Sequence, residues 1–127
     1  MSEPGSLYEV VGGEGFFVTL VDRFYDAVAL DPVLRPLYPD DLTESRRNLA
    51  GFLVQYWGGP ATYSDERGHP RLRMRHMPFR VGEPERDAWL EHMMAALDGL
   101  GPPEPARAAM IEYFRRTAEF LRNDEGM

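Results

Sequence analysis

The sequence predicts an all-α fold, and two observations support this class. Apolar residues recur at spacings of three and four along several segments, whereas no segment alternates apolar and polar residues as a strand does. Glycine and proline clusters at 12–13, 58–60 and 101–103 separate these segments, as expected between helices. We therefore expect four substantial helices with short connectors, in one domain spanning residues 1–127, with frayed tails at 1–6 and 123–127.

The first substantial helix is predicted for "GFFVTLVDRFYDAV", directly after Gly12 and Gly13. Its apolar face is wide because two rows of side chains lie side by side: Phe16, Leu20, Phe24 and Val28, then Phe17, Val21 and Tyr25. A short helical piece follows, since Asp31 is a favoured N-cap and Pro32 suits the first helical position. Pro36 and Pro39 keep that piece short.

The next helix is predicted from Thr43 to Trp57, with an inner face formed by Leu49, Phe52, Leu53 and Tyr56. Residues 58–70 then form a loop of the length that shapes a site or crosses a surface. A short helical piece closed by Pro78 comes next. The last two helices have inner faces formed by Trp89, Met93, Ala96, Leu97 and Leu100, and by Met110, Tyr113, Phe114, Thr117 and Leu121.

The composition excludes several classes of protein. The net charge of -7 argues against nucleic-acid binding, which depends on neutralising phosphates. The chain has no apolar run long enough to insert into a membrane, and its first residues lack the pattern of a signal peptide. The absence of cysteine rules out disulfides and thiolate metal sites, and it fits a cytoplasmic location.

The stretch "HPRLRMRHMPFR", residues 69–80, concentrates four arginines and two of the three histidines in an acidic chain. Its arginines either pair with nearby glutamates, in surface pairs worth only about 0–1 kcal/mol each, or bind a compact anionic ligand. The histidines, His69, His76 and His92, match no zinc-binding spacing. His76 is either a partly buried residue bonded to a backbone carbonyl or a lone axial ligand to a cofactor iron.

Three polar aromatic side chains are predicted to enter the core: Tyr25, Tyr38 and Trp89. Buried tyrosine and tryptophan usually find hydrogen-bond partners. Each of the three could bond to a backbone carbonyl near a kink. Taken together, they indicate a small polar spot inside an apolar cavity.

Three quoted segments carry a resemblance to a known family: "GGEGFFVTLVDRFYDAVALDPVLRPLYP", "QYWGGPATYSDERGHPRLRMRHMPFR" and "ERDAWL". Over residues 7–122 the chain resembles the group II, or O-type, truncated haemoglobins of bacteria. The resemblance implies a shortened globin in which two helix pairs sandwich a haem b group (iron protoporphyrin IX) in the 2-on-2 arrangement.

The resemblance also implies roles for individual residues. His76 would be the proximal iron ligand, and Tyr25, Tyr38 and Trp89 would be the distal hydrogen-bonding residues. The other distal residues would be Leu49 and Phe52 in the wall and Ser45 at the gate position. The remaining haem contacts would be Arg75, Tyr63, His69 and Arg73 at the propionates, and Met77, Phe79 and Val81 on the proximal side. Asn48 departs from the family, which often has a basic residue there; Arg47 would then reach a propionate by another path.

The implied function is reversible binding of oxygen, carbon monoxide and nitric oxide, with slow oxygen release and no nucleic-acid or membrane partner. An alternative is a redox enzyme, peroxidase-like or a nitric oxide dioxygenase, which would need an external reductase because the chain has no reductase domain. A third alternative is a haem-free helical interaction domain that docks through the arginine stretch. A homo-oligomer is compatible with each of these.

Overall fold

The computed structural model describes residues 6–60 and 82–121, and the described residues that form regular structure are helical. The helices are α1 (Leu7–Val10), α2 (Glu14–Val28), α3 (Thr43–Tyr56), α4 (Glu83–Leu100) and α5 (Ala106–Leu121), with one 3-10 turn at Arg35–Leu37. None of the helices in these ranges is long and apolar enough to cross a membrane. The prediction of an all-α fold is confirmed.

The short helix α1 is fixed at both ends. Ser6 and Glu9 form a capping box, in which each side chain accepts a hydrogen bond from the other residue's backbone N–H. Gly12 and Gly13 follow with φ angles of 109° and 81°, which residues with a Cβ rarely adopt. The Tyr8 N–H donates to the Trp57 carbonyl at 2.9 Å. These contacts hold α1 against the end of α3.

The central element is α2, which packs against α3 on one side and α4 on another, while α5 packs against α4. The two predicted rows of α2 are buried except for Phe16, which is half-buried. The core also contains buried residues from the loop and the other three long helices: Leu34, Ala50, Phe52, Leu53, Val54, Met93, Ala96, Leu97, Met110, Tyr113 and Phe114.

Two sequence predictions need correction. The helical piece expected after Asp31 is reduced to a turn and the separate 3-10 turn, because Pro36 and Pro39 remove backbone donors. Asp31 still behaves like a capping residue, since its Oδ1 accepts the Val33 N–H at 2.7 Å. Tyr56, the last residue of α3, is predicted to face inward but is 49% exposed; only part of its ring is covered, with its centroid 4.3 Å from that of the buried Tyr113.

Candidate functional site

The three polar aromatic residues come from three different elements and meet at one place. Tyr25 lies near the end of α2, Tyr38 follows the 3-10 turn, and Trp89 lies in the second turn of α4. The rings of Tyr25 and Tyr38 meet edge to face with centroids 5.4 Å apart. Phe24 lies 5.0 Å from Tyr25 and 5.5 Å from Trp89, between the two. The structure therefore brings the predicted distal trio together.

Both tyrosine hydroxyls are shielded from water, and burial is the main cause that raises their pKa values. Tyr25 is 5% exposed and its pKa is raised far above the usual range. Burial raises the pKa of Tyr38 to about 12, although contacts with Tyr25 and Trp89 lower it in part. Both phenols therefore keep their protons at neutral pH and act as hydrogen-bond donors.

The two tyrosine hydroxyls and the Trp89 indole interact with one another. The Trp89 indole has only a donor, so in its contact with Tyr38 the tyrosine oxygen accepts. Either phenol can donate to the other; since their contact raises the pKa of Tyr25 and lowers that of Tyr38, we assign Tyr25 as the donor. With this assignment Tyr38 is the common acceptor of two neighbouring donors.

The Arg46 side chain of α3 lies over the Tyr25 ring. The Arg46 guanidinium lies 5.8 Å from the Tyr25 ring centroid, and it bonds Asp22 at 3.2 Å and Asp26 at 3.0 Å. Hydrogen bonds to these two carboxylates, one helical turn apart on α2, oppose desolvation and raise the pKa of Arg46. Arg46 was not predicted from the sequence; the only signal for it was the i,i+4 spacing of Asp22 and Asp26.

The predicted distal wall lies along one side of α3. Ser45, Leu49 and Phe52 are separated by four and three residues, so they share a face of the helix. Phe52 is buried, while Ser45 and Leu49 are half-buried. Arg47 and Asn48 instead line a separate groove of about 470 Å³ between α2 and α3, which none of the three distal aromatic residues lines.

The predicted proximal side lies outside the described residues. This applies to the following positions, all between 61 and 81: Tyr63, His69, Arg73, Arg75, His76, Met77, Phe79 and Val81. Their roles stay predictions. In ranges 6–60 and 82–121 no group of three or more histidines and carboxylates could hold a metal ion, and His92 bonds Asp31 instead, at 2.6 Å.

The comparisons with known proteins agree with this geometry. Residues 6–123 match the model of the family described as "Bacterial-like globin", so the chain belongs to that globin family. It is 43% identical over 116 residues to the group 2 truncated hemoglobin YjbI of Bacillus subtilis, covering 91% of this chain and 87% of that protein.

Solved structures narrow the class further. The hemoglobin of Chloroflexus aurantiacus is 56% identical and superposes with a TM-score of 0.94, covering 96% of this chain and 100% of that one. The group II truncated hemoglobin of Bacillus anthracis is 40% identical, with a TM-score of 0.94, covering 99% and 97%. Within its family the chain is therefore a group II truncated haemoglobin, and this membership implies haem binding.

The described residues fit one half of a haem pocket. Two phenols and one indole converge beside apolar side chains, which is a suitable environment for a small ligand that gains negative charge on binding. Leu49 and Trp89 pack on the core only partly buried, so they keep surface available to a further group.

Proposed function

We propose that the chain holds haem b with His76 as the iron ligand and binds oxygen and other diatomic ligands reversibly. When bound, the haem iron supplies the position at which such a ligand attaches and gains negative charge. The observation that supports this function is the meeting of Tyr25, Tyr38 and Trp89, three protonated donors from three elements. Small diatomic ligands are the proposed partners, and the proposed location is the cytoplasm.

Tyr38 is the residue we propose to contact the ligand directly. With its oxygen accepting from Tyr25 and Trp89, as assigned above, the Tyr38 O–H is left for a third partner. A hydrogen bond to a charged group contributes about 1–3 kcal/mol, which corresponds to roughly 5- to 150-fold in affinity. A donor held in place by two neighbours loses little entropy when the ligand arrives, and slow oxygen release follows.

The test starts with the visible spectrum of the purified protein after haem is supplied. A Soret band is expected, and its absence would refute haem binding. His76→Gly should abolish the normal ferrous and carbonyl spectra, whereas His69→Gly should keep them, since His69 is predicted to lie at a propionate. Stopped-flow oxygen release then tests the distal trio: fast release from the unmodified chain would contradict its proposed role.

A redox function is the second candidate, because the same protonated phenols can hold or move a proton next to a bound peroxide or oxygen. Turnover would use an external electron donor. We expect peroxide-dependent oxidation of a phenolic reductant by the haem-loaded protein to fall in Tyr38→Phe. Equal rates in the two proteins would leave oxygen binding as the better supported function.

A further inference from the structure

Tyr38 is the only member of the distal trio that does not lie on a helix, so its position depends on the loop around it. A single guanidinium shapes this loop: Arg35 donates to three successive carbonyls, those of Tyr38 at 3.3 Å, Pro39 at 2.9 Å and Asp40 at 2.8 Å. These bonds fix the backbone from Tyr38 to Asp40, directly after the Tyr38 side chain. They do not, however, attach the loop to the helix that carries Trp89.

That attachment comes from a pair of residues outside the trio. The Asp31 carboxylate, at the start of the same loop, lies with its Oδ2 at 2.6 Å from Nε2 of His92 on α4. Its other oxygen accepts the Val33 N–H at 2.7 Å, and the Asp31 carbonyl accepts the Arg35 N–H at 2.8 Å. The carboxylate therefore connects the folded start of the loop to one side chain of α4.

His92 lies three residues after Trp89, so the two side chains project from the same side of α4. The side chains of both Asp31 and His92 are largely shielded, with 15% and 22% exposed. The contact is also the largest cause that lowers the pKa of Asp31, as expected for a carboxylate that accepts a short hydrogen bond. The pair thus lies one helical turn from the indole that donates to Tyr38.

We propose that Asp31 and His92 are positioning residues for the distal site: their hydrogen bond sets the Tyr38 loop against α4 so that the Trp89 N–H meets the Tyr38 hydroxyl. Hydrogen bonds weaken steeply with angle and distance, and a misplacement of about 1 Å can cost much of a positioned contact's effect. A loop released from α4 would therefore weaken the indole donor without removing it. The effect on ligand release rests on the proposed function; the effect on the indole does not.

The experiment compares His92→Phe, which keeps a ring but loses the hydrogen bond, with His92→Gln, which keeps an N–H donor. The first readout is the indole N–H proton resonance of the haem-loaded, carbon-monoxide-bound protein. Trp57 supplies an internal reference, and Trp89→Phe assigns the two peaks. We expect His92→Phe to shift the Trp89 peak and leave the Trp57 peak in place, with His92→Gln closer to the unmodified protein.

The second readout is oxygen release. His92→Phe should accelerate it roughly 3- to 10-fold, less than the full loss of a donor to a charged ligand. In a Trp89→Phe background the same change should have no further effect, because the donor that it positions is already absent. Arg107→Ala, which breaks an exposed pair between α5 and Asp98 of the same α4, is the control and should leave release unchanged.

Two results would overturn the inference. One is a loss of stability in His92→Phe with unchanged Trp89 resonance and unchanged oxygen release, which would make the Asp31 contact structural only. The other is an equal acceleration with and without Trp89. If no Soret band forms, the proposed function fails instead, and the indole resonances of the protein as purified still decide whether His92 positions Trp89.

Discussion

Replacing Tyr38 by phenylalanine should cost more stability than replacing Tyr25, although Tyr25 is the more deeply buried residue. The reason is the assigned direction of the hydrogen bonds: the Tyr38 oxygen accepts from the Tyr25 O–H and the Trp89 N–H, whereas Tyr25 only donates. Tyr38→Phe leaves both donors without their acceptor. In Tyr25→Phe, by contrast, the Tyr38 oxygen keeps its bond from Trp89.

The magnitudes follow from this difference. An ordinary hydrogen bond contributes about 0.5–1.5 kcal/mol to stability, and a buried donor left unsatisfied costs about 1–3 kcal/mol. Tyr25→Phe should therefore lower the free energy of unfolding by about 1 kcal/mol. Tyr38→Phe should lower it by about 2–4 kcal/mol, since Tyr25 is buried and Trp89 half-buried.

The double variant makes the test sharper. Once Tyr38 is phenylalanine, the Tyr25 hydroxyl is an unsatisfied donor, so removing it should cost nothing or restore some stability. Urea unfolding of the four proteins gives the coupling free energy, provided that the dependence on denaturant stays the same. Additive losses, or a larger loss for Tyr25→Phe than for Tyr38→Phe, would refute the assignment of Tyr38 as the common acceptor.

Three further predictions concern residues around the site: Gly59, Arg46 and Asp31. Gly59→Ala should lower the free energy of unfolding by about 1–3 kcal/mol, because a Cβ would lie 2.5 Å from Val54 Cγ1 and 2.7 Å from the Tyr8 ring. The control is Gly15→Ala, whose Cβ meets nothing within 4 Å. It should instead raise the melting temperature in a thermal melt. Arg46→Met should lower the free energy of unfolding by about 1 kcal/mol at low salt, because the ion pairs with Asp22 and Asp26 are lost. Since salt screens such pairs, the loss should be smaller in 1 M NaCl. A loss that does not depend on salt would mean that the packing of the Arg46 side chain causes it. The pKa of Asp31 in the folded protein lies below its ordinary value of 3.8, so its stabilising contribution is present above pH 3.8 and is lost as the pH falls through the folded-state pKa. Asp31→Asn should therefore reduce the loss of unfolding free energy at acid pH, measured by urea unfolding across that range. An unchanged acid dependence would contradict the lowered pKa.

The helices could be read from the sequence because the signals for them are local. Both rows of α2 and the glycine pair before it follow from spacing within a few residues, and the structure has them where predicted. The end of α3 just before Gly58 follows in the same way: it was predicted at Trp57 and lies at Tyr56. Tyr56 was misplaced for the same reason: periodicity continues to the last residue of α3 and carries no information on how much of that side chain other elements cover, which leaves it 49% exposed.

The residues that position the site, Asp31, His92 and Arg35, could not be predicted from local spacing. Asp31 and His92 are 61 residues apart, and no local pattern relates them; their contact depends on how the loop lies against α4. The role of Arg35 was equally hidden, because backbone carbonyls are present at every position and only the fold selects three of them. Sequence patterns and the family resemblance pointed to the groups proposed to carry chemistry, while the groups that hold the distal residues in place depend on contacts that only the fold creates.

Under the proposed function, the assigned direction of the hydrogen bonds would let three donors act on one small ligand. Tyr25 and Trp89 would not need to reach the ligand, since their contacts with the Tyr38 oxygen lower the pKa of its hydroxyl against the effect of burial. A phenol that accepts hydrogen bonds becomes a stronger donor itself, by about 10–30% per bond in a chain of such bonds. Substitutions at Tyr25 and Trp89 should then change oxygen release mainly while Tyr38 is present. In a Tyr38→Phe background their effects on release should largely disappear, and a full effect of Trp89→Phe in that background would mean that the indole contacts the ligand itself.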